Sequence, residues 1–366
     1  MSDYNQRNIV IILGAGASVE AGAPLMNNFF DRARLLYTQA EIKKMVGDHF
    51  DTVFNAINAL QSAHSKADLD LYNLESIFTA FEFASLLQIE NSLFNDDLVL
   101  SLKRVIAITI ENSLEFKKNP NQNYGFLPHK AYRTLVANIK QLQAKGYKVT
   151  IISFNYDLAL DFAFINEGVN YSYCLSKTEQ IQKGTVLYLK LHGSFNWRKC
   201  QKCNEILKIN LDNFLNKNLA MLLAKDRLYF QLGVGRHNLE CSGGCGRQVD
   251  DVCFLVPPSW NKQGYYESIS HVWKRAAEEL KGAAYIHVHG YSLPQTDQFF
   301  HNLYALGTMG GNPLHCFNVY NPDSNGATEG RFKALLGTGA KNRFKYVSGS
   351  DGCFSRSVSK MLEILN

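Results

Sequence analysis

The stretch Asn8-Ile-Val-Ile-Ile-Leu-Gly-Ala-Gly-Ala-Ser-Val-Glu-Ala-Gly22 decides the fold, because an apolar strand pattern passes directly into a glycine turn. Gly14 and Gly16 let the backbone bend tightly and come close to a ligand, since neither carries a Cβ atom. A helix that begins after such a turn directs free N–H groups and the positive end of its dipole toward a phosphate. The hydroxyl of Ser18 is a further candidate donor. A plain strand-turn-helix connection without a ligand gives the same short pattern.

The composition excludes several classes of protein. The chain has 366 residues, is 46% hydrophobic and carries a net charge of +5. These values exclude wholesale disorder and allow a large α/β core. No apolar run is long enough to span a membrane and the N-terminus lacks a signal-peptide pattern, so we expect a cytoplasmic protein without a membrane anchor. Basic residues form no block of the kind that binds nucleic acid, so direct nucleic-acid binding is not expected.

Further apolar runs repeat the pattern of the first strand. They lie at 8–13, 148–153, 186–191, 284–289 and 315–320, and helical patterns cover 130–145, 266–281 and 327–336. Continuous apolar strands that alternate with helices predict an α/β fold with a Rossmann-like, doubly wound parallel sheet. Residues 25–117 interrupt the alternation and predict a large helical insertion. Residues 197–256 predict a second, small, cysteine-rich insertion.

Polar residues follow two of these strands at the edge where ligands bind in open parallel sheets. Ser153-Phe-Asn-Tyr-Asp157 places an amide and a carboxylate there, and Lys190-Leu-His-Gly-Ser-Phe-Asn-Trp197 places an imidazole there. Asn155, Asp157 and His192 are therefore candidate catalytic residues. The alternatives are a polar turn in which Asn155 caps a helix and a histidine with a purely structural role.

Four of the eight cysteines occur in two close pairs, Cys200-x-x-Cys203 and Cys241-x-x-x-Cys245. Four thiolates complete the tetrahedral shell that Zn²⁺ prefers, so the pairs predict a zinc site. The spacer at 204–240 is long, which leaves Cys253 as a substitute ligand. Four free buried thiols are the alternative without metal.

The glycine turn, Asn155-Tyr-Asp157 and Leu191-His-Gly-Ser194, in this order, resemble the sirtuin (SIR2-like) family of NAD-consuming enzymes. Two further stretches look like the family's ribose-contacting turns, His289-Gly-Tyr-Ser-Leu-Pro-Gln-Thr-Asp297 and Asn318-Val-Tyr-Asn-Pro-Asp323. The resemblance implies a single catalytic domain over 1–366, NAD as substrate and a structural role for zinc. It implies that pyrophosphate is bound by Gly14, Ala15, Gly16, Ala17 and Ser18. It also places Ser292 at the nicotinamide-side ribose and Asn321 and Asp323 at the adenosine ribose.

One departure from the family changes the reaction that the resemblance implies. Deacylating sirtuins continue the glycine turn as Gly-Ile-Pro-Asp-Phe-Arg, whereas this chain has Gly22-Ala-Pro-Leu-Met-Asn27. The variant looks like the NAD-hydrolysing domains of bacterial antiphage defence systems. We therefore expect an NAD glycohydrolase that releases nicotinamide and ADP-ribose, with Asn155 holding ribose and water, His192 accepting a proton and Asp157 orienting groups. The alternatives are an NAD-dependent protein deacylase and a non-catalytic subunit that senses NAD or ADP-ribose.

The resemblance also implies partners, because an unrestrained NAD hydrolase would poison its own cell. Similar effectors form homo-oligomers and act with a sensor protein such as a HerA-type ATPase. The aromatic residues Phe78, Phe81 and Phe83 of the helical insertion are the candidate assembly surface. Core packing is the alternative explanation for these aromatics.

Overall fold

The computed structural model describes residues 7–62, 69–89, 97–119, 125–176, 178–224, 231–235, 237, 239, 241, 249–257, 263–295 and 297–363. The contacts divide the chain into two compact units. The sheet unit comprises Met1–Gly22, Glu115–Gly193 and Ile269–Asn366. The second unit comprises Ala23–Leu114 and Ser194–Ser268. Within the described residues, no helix is both long enough and apolar enough to cross a lipid bilayer.

The elements are numbered in chain order. The strands are β1 (Asn8–Leu13), β2 (Lys117–Lys118), β3 (Phe126–Leu127), β4 (Lys148–Ser153), β5 (Tyr171–Ser172), β6 (Val186–Lys190), β7 (Trp197–Lys199), β8 (Ile206–Lys208), β9 (Tyr285–His289), β10 (Cys316–Tyr320) and β11 (Phe344–Val347). The helices are α1 (Gly16–Val19), α2 (Phe29–Tyr37), α3 (Ala40–Ser62), α4 (Leu74–Leu86), α5 (Asp97–Glu111), α6 (Lys130–Ala144), α7 (Ala159–Asn166), α8 (Leu211–Ala224), α9 (Gln263–Gly282), α10 (Gln298–Gly307), α11 (Ala327–Leu335), α12 (Thr338–Lys341) and α13 (Phe354–Lys360).

The sheet unit contains a seven-stranded sheet in the order β11-β10-β9-β1-β4-β6-β5. Every neighbouring pair of these strands is parallel. The chain first builds the sheet from β1 toward β5 and then returns to add β9 on the other side of β1. The direction in which successive strands are added therefore reverses between β1 and β9. Open α/β sheets bind ligands in the crevice at the carboxyl ends of the strands beside such a reversal. The predicted doubly wound parallel sheet is confirmed, and the five predicted strands agree with it to within one residue.

Both faces of the sheet are covered. Phe317 of β10 contacts Phe332 of α11 at a ring-centroid distance of 6.0 Å. On the opposite face, His289 of the adjacent strand contacts Phe354 of α13 at 5.9 Å. Successive residues of a strand point to opposite faces, so strands that are buried on both faces need the continuous apolar runs that the sequence contains.

The predicted helix after the glycine turn is present but is only one turn long. α1 has only four residues, and the chain leaves it at Gly22, where φ is 98°. A left-handed residue followed closely by Pro24 cannot continue an α-helix. One turn sums few peptide dipoles, so the expected electrostatic contribution of this helix to phosphate binding is correspondingly small.

The second unit contains helices α2–α5, helix α8 and the two-stranded sheet of β7 and β8. Phe78 and Phe81 of α4 are each 1% exposed, so these two aromatics pack in the core of the unit. Arg198 of β7 is fully buried and donates to the carbonyls of Phe195 and Trp197. Glu111 of α5 accepts a hydrogen bond from the Gly233 N–H, and burial raises the pKa of its carboxyl to about 8.

Candidate active site

The carboxyl ends of five strands form one row across the sheet. Leu13 is in register with Ser153 and with His289, Ser153 with Lys190, and His289 with Tyr320. Residues that follow these positions therefore meet at one edge. This edge carries the predicted residues Gly14, Asn155, His192 and Asn321, each one or two positions beyond its strand.

The glycines of the first turn permit contact between two segments of backbone. A Cβ atom at Gly14 would lie 2.5 Å from Tyr291 Cα, and one at Gly16 would lie 2.8 Å from Gly290 Cα. The N–H of Gly14 donates to His289 O at 3.1 Å, and the N–H of Gly16 donates to Gly290 O at 2.8 Å. The N–H groups of Ala17 and Ser18 donate within the turn itself. These glycines are thus required by the turn after β9, whereas the contact of residues 14–18 with pyrophosphate stays a prediction.

Asn155 is 8% exposed and is held from one side. Its Nδ2 donates to Gly14 O at 2.9 Å and to Ser18 Oγ at 3.1 Å. These two acceptors fix which end of the amide faces the glycine turn. The other end, Oδ1, is buried and has no hydrogen-bond partner among the described residues. A buried acceptor without a partner is costly, so this oxygen is a candidate contact for a ligand hydroxyl or water.

Ser18 connects Asn155 to Asp157 and to Tyr132. Its Oγ lies 2.7 Å from Asp157 Oδ2 and 2.7 Å from the Tyr132 hydroxyl. Because a carboxylate only accepts, Ser18 donates its single hydrogen to Asp157, and Tyr132 must then donate to Ser18. Burial, followed by the nearby Asp157 carboxylate, raises the pKa of Tyr132 well above its usual value, which keeps the phenol a donor. In this arrangement Ser18 holds Asn155 and Asp157 in place.

Asp157 has both carboxylate oxygens engaged by the protein. Oδ2 accepts from Ser18, and Oδ1 accepts from the Ala159 N–H at 2.9 Å, at the start of α7. The side chain is 5% exposed. Asp157 therefore contacts Ser18 and the first turn of α7. Its role in orienting groups around a substrate stays a prediction.

His192 lies beside a buried carboxylate that the sequence interpretation does not assign to the site. His192 Nε2 is 4.0 Å from Asp297 Oδ2, and Asp297 is 4% exposed. Tyr291 donates a hydrogen bond to the same carboxylate oxygen at 2.6 Å. The ring of Phe154, the residue before Asn155, meets the His192 ring edge to face at 5.0 Å. The imidazole is thus fixed between an aromatic ring and a carboxylate that would stabilise its protonated form.

The predicted ribose-contacting residues lie at the ends of β9 and β10. The Ser292 carbonyl accepts from Arg331 Nε at 2.8 Å, and Asn321 Oδ1 accepts from the Asp323 N–H at 3.0 Å. Asp323 accepts from the N–H groups of Asn325 and Thr328. The pKa of its carboxyl is lowered most by a hydrogen bond from the Thr328 side chain and then by these two backbone groups. The structure places the three residues at the same sheet edge. Their ribose contacts stay predictions.

The residues that sequence analysis misses are Asp297, Tyr291, Tyr132 and Lys190. Asp297 and Tyr291 belong to the stretch quoted for its resemblance, but only the fold brings them to His192. Lys190 gives a detectable signal, because a lysine that ends a buried apolar strand needs a special environment. Tyr132 has no such signal in its amphipathic helix.

Three of the four predicted metal ligands come together in the second unit. The Sγ atoms of Cys200, Cys203 and Cys241 lie within 4.8 Å of one another and could hold a metal ion. The Sγ atoms of Cys203 and Cys241 are 3.3 Å apart, and Glu205 Oε2 is 3.1 Å from the latter. Cys245 lies outside the described residues. Cys253 is not part of the described cluster; it is buried near Arg198, and burial raises the pKa of its thiol to about 12.

No protein-family model matches the chain, and no curated protein matches it. Among solved structures, the chain is similar to a Sir2 homologue in complex with NAD, with 14% identity, a TM-score of 0.41, and coverage of 99% of this chain and 92% of that chain. A serine-to-alanine variant of a Sir2 homologue with ADP-ribose gives 14% identity, a TM-score of 0.39 and coverage of 99% and 95%. At these scores the fold assignment rests on the sheet topology of the chain itself.

Proposed function

We propose that the chain binds NAD at the carboxyl edge of the sheet and hydrolyses it to nicotinamide and ADP-ribose. The observation that carries the proposal is Asn155, whose buried Oδ1 has no hydrogen-bond partner among the described residues while its Nδ2 is held by Gly14 and Ser18. Asn155 extends from β4, next to the strand at the topological switch point. His192 extends from β6, the neighbour of β4 on the other side.

The chemistry of NAD suits these groups. The N-glycosidic bond joins ribose to a cationic pyridinium, so the bonding pair leaves with nicotinamide, which becomes neutral. The sugar passes through an oxocarbenium-like state, and a water oxygen then forms the new bond to the same carbon. Such a reaction needs positioning more than acid assistance. An amide oxygen that accepts from a ribose hydroxyl or from the water provides that positioning.

In this proposal His192 accepts the proton that the attacking water loses, or one from a ribose hydroxyl. Asp297 stabilises the resulting imidazolium at 4.0 Å, and the Tyr291 hydroxyl fixes that carboxylate. Asp157 acts through Ser18 to keep the Asn155 amide in place. We further propose that residues 14–18 lie along the pyrophosphate, with Ser292, Asn321 and Asp323 near the two riboses.

Zinc has a structural place in the proposal. The thiols of Cys200, Cys203 and Cys241 are the soft donors that Zn²⁺ prefers, and their mutual distances suit one ion. Cys245 is the proposed fourth ligand. A bound ion would tie the strand β7 segment to the segment around Cys241 within the second unit.

The biological role that we propose rests on the sequence resemblance. The departure at Gly22-Ala-Pro-Leu-Met-Asn27 looks like the NAD-depleting effectors of antiphage defence. We propose that the chain forms a homo-oligomer and that a sensor partner, such as a HerA-type ATPase, controls its activity. Measuring the mass of the purified protein, alone and with the product of the neighbouring gene, tests this part separately from catalysis.

The experiment for the reaction follows NAD, nicotinamide and ADP-ribose chromatographically with purified protein. We expect His192→Ala to lower kcat by on the order of 10² to 10⁴, since a positioned proton acceptor contributes that much. His315→Ala is the matched control, because His315 is an exposed histidine of the same unit. Wild-type turnover by His192→Ala would refute the assignment.

The same assay separates the alternatives. Nicotinamide release that requires an acetyl-lysine peptide would identify a deacylase. Binding of NAD or ADP-ribose without turnover, with or without the partner, would identify a sensing subunit. Release of both nicotinamide and ADP-ribose from NAD and water alone supports the hydrolase.

A further inference from the structure

Lys190 is a fully buried lysine at the end of β6, the strand that leads to His192. Its Nζ donates to the carbonyl of Asp157 at 2.6 Å and to the carbonyl of Tyr156 at 3.3 Å. The same ammonium lies 3.6 Å from Oδ2 of Asp161, and both side chains are 0% exposed. Asp161 also accepts a hydrogen bond from the Tyr173 hydroxyl.

A fully buried ion pair contributes little net stability to a fold. Removing two charges from water carries a large desolvation penalty for each ion, and a protein with well-packed apolar residues of similar volume in their place is often equally stable. Burial lowers the pKa of Lys190 and raises that of Asp161, while their mutual attraction opposes both changes. A buried charge pair therefore calls for a role other than stability.

The contacts of Lys190 suggest that role, because they cross from one catalytic segment to the other. Its strand ends two residues before His192, and its ammonium holds the backbone of the turn that carries Asn155. Ser153 and Lys190 are in register, and the Leu191 N–H donates to Ser153 O at 2.9 Å. Asp161 lies on α7, the helix that follows the same turn. One ammonium group thus joins β6, the 155–157 turn and α7.

We propose that Lys190, balanced by Asp161, is a positioning residue that fixes the 155–157 turn and thereby the placement of Asn155 relative to His192. Lys190 contacts the backbone carbonyls of Tyr156 and Asp157 in the turn. It therefore affects the reaction through the position of the turn, without touching substrate. The catalytic consequence rests on the proposed NAD hydrolysis. The effect on the turn itself does not.

The test uses Lys190→Met, which keeps the length of the side chain without charge, and the double variant Lys190→Met/Asp161→Asn, which removes both charges with little change of shape. Lys103→Met is the control, since Lys103 is a partly buried lysine of the second unit that donates to the Tyr265 hydroxyl. The double variant leaves no uncompensated buried charge, so it remains informative if Lys190→Met fails to fold.

The first readout is steady-state NAD cleavage. A displacement of about 1 Å at a reacting group costs on the order of 10² in rate, so we expect the double variant to lose about that factor in kcat while KM for NAD stays within about threefold. Lys103→Met should keep the wild-type kcat. Wild-type kcat in a folded double variant would overturn the positioning role.

The second readout is independent of catalysis. Hydrogen–deuterium exchange of the peptide that covers 154–160 should accelerate at least about tenfold in the double variant, because the turn loses its anchor, and should be unchanged in Lys103→Met. Unchanged exchange in the double variant would refute the proposal even if activity fell. If wild-type protein cleaves no NAD, the proposed function fails, and exchange alone decides whether Lys190 holds the turn.

Discussion

Acidification is expected to destabilise this protein through two buried histidines of β9. His287 and His289 are each 0% exposed. Burial lowers the pKa of His287 to about 4, and burial together with the neighbouring His287 lowers that of His289 to about 3. His287 Nε2 lies 3.9 Å from the Cys316 thiol, and His289 Nδ1 lies 2.8 Å from Ser357 Oγ. These contacts are with a thiol and a hydroxyl, neither of which stabilises a positive charge as a carboxylate would, so both imidazoles are neutral in the folded protein near neutral pH.

The direction of the effect follows from the depressed folded pKa values. In the unfolded chain the same histidines titrate near 6.5, so below that pH the unfolded state binds protons that the folded state cannot. Their contribution is fully present above about pH 6.5 and is lost as the pH falls toward about 4. Between about pH 7 and about pH 5, linkage gives a loss of about 2 kcal/mol for each histidine and about 4 kcal/mol for the pair.

The assay is urea denaturation at both pH values for the wild type and His287→Leu, in which an apolar side chain replaces one buried imidazole. The variant should lose about 2 kcal/mol less than the wild type on acidification, because one of the two linked protonation sites is gone. His315→Leu, an exposed control, should lose as much as the wild type. Equal losses in wild type and His287→Leu would show that this imidazole is not the source of acid sensitivity.

Three further predictions follow from the site and its surroundings. Gly290→Ala should destabilise the protein by about 2 kcal/mol or more in urea denaturation, because its Cβ would lie 2.2 Å from Ala17 N at a φ of +63°. Gly330→Ala is the control, since its Cβ would have nothing within 4 Å. Equal stability of the two variants would contradict the close approach at Gly290. Asp297→Asn should lower kcat for NAD cleavage about tenfold or more, since it removes the charge beside His192. The control is Asp351→Asn at a partly exposed position, which should keep the wild-type kcat. Unchanged turnover in Asp297→Asn would exclude that role. Cys203→Ser should reduce the zinc content measured by elemental analysis, whereas Cys353→Ser should leave it unchanged. A wild-type protein that contains no zinc would refute the proposed metal site.

The long buried strands and their parallel, doubly wound arrangement could be predicted from the sequence because their apolar runs are continuous and alternate with helices. The two edge strands could not. β5 has only two residues, Tyr171–Ser172, and β11 is the partly exposed segment Phe344–Val347, which lacks a continuous apolar run. The one-turn length of α1 also escaped prediction, since its end depends on the positive φ of Gly22 rather than on a change in hydrophobic pattern.

The site was predictable to the extent that parallel strands bring their carboxyl ends together. This rule places Asn155, Asp157 and His192 at one edge without any knowledge of side-chain contacts. Asp297 is more than a hundred positions from His192 in the sequence, and only the return of the chain at β9 brings it close. Two of the partners of Lys190 are backbone carbonyls, which leave no trace in residue types. Contacts of this kind are visible only in the folded structure.

The hydrogen bonds around Asn155 have a common consequence. The N–H groups of Gly14 and Gly16 donate to carbonyls at the end of β9 and in the turn after it. Ser18 donates its only hydrogen to one oxygen of Asp157, and the other oxygen accepts from an N–H at the start of α7. Gly14 O and Ser18 Oγ then accept both contacts of Asn155 Nδ2, which directs Oδ1 away from the network. Lys190 holds the backbone beneath. A set of satisfied groups therefore orients one acceptor that lacks a partner among the described residues, and a ligand hydroxyl or water that reaches it would find its position already fixed.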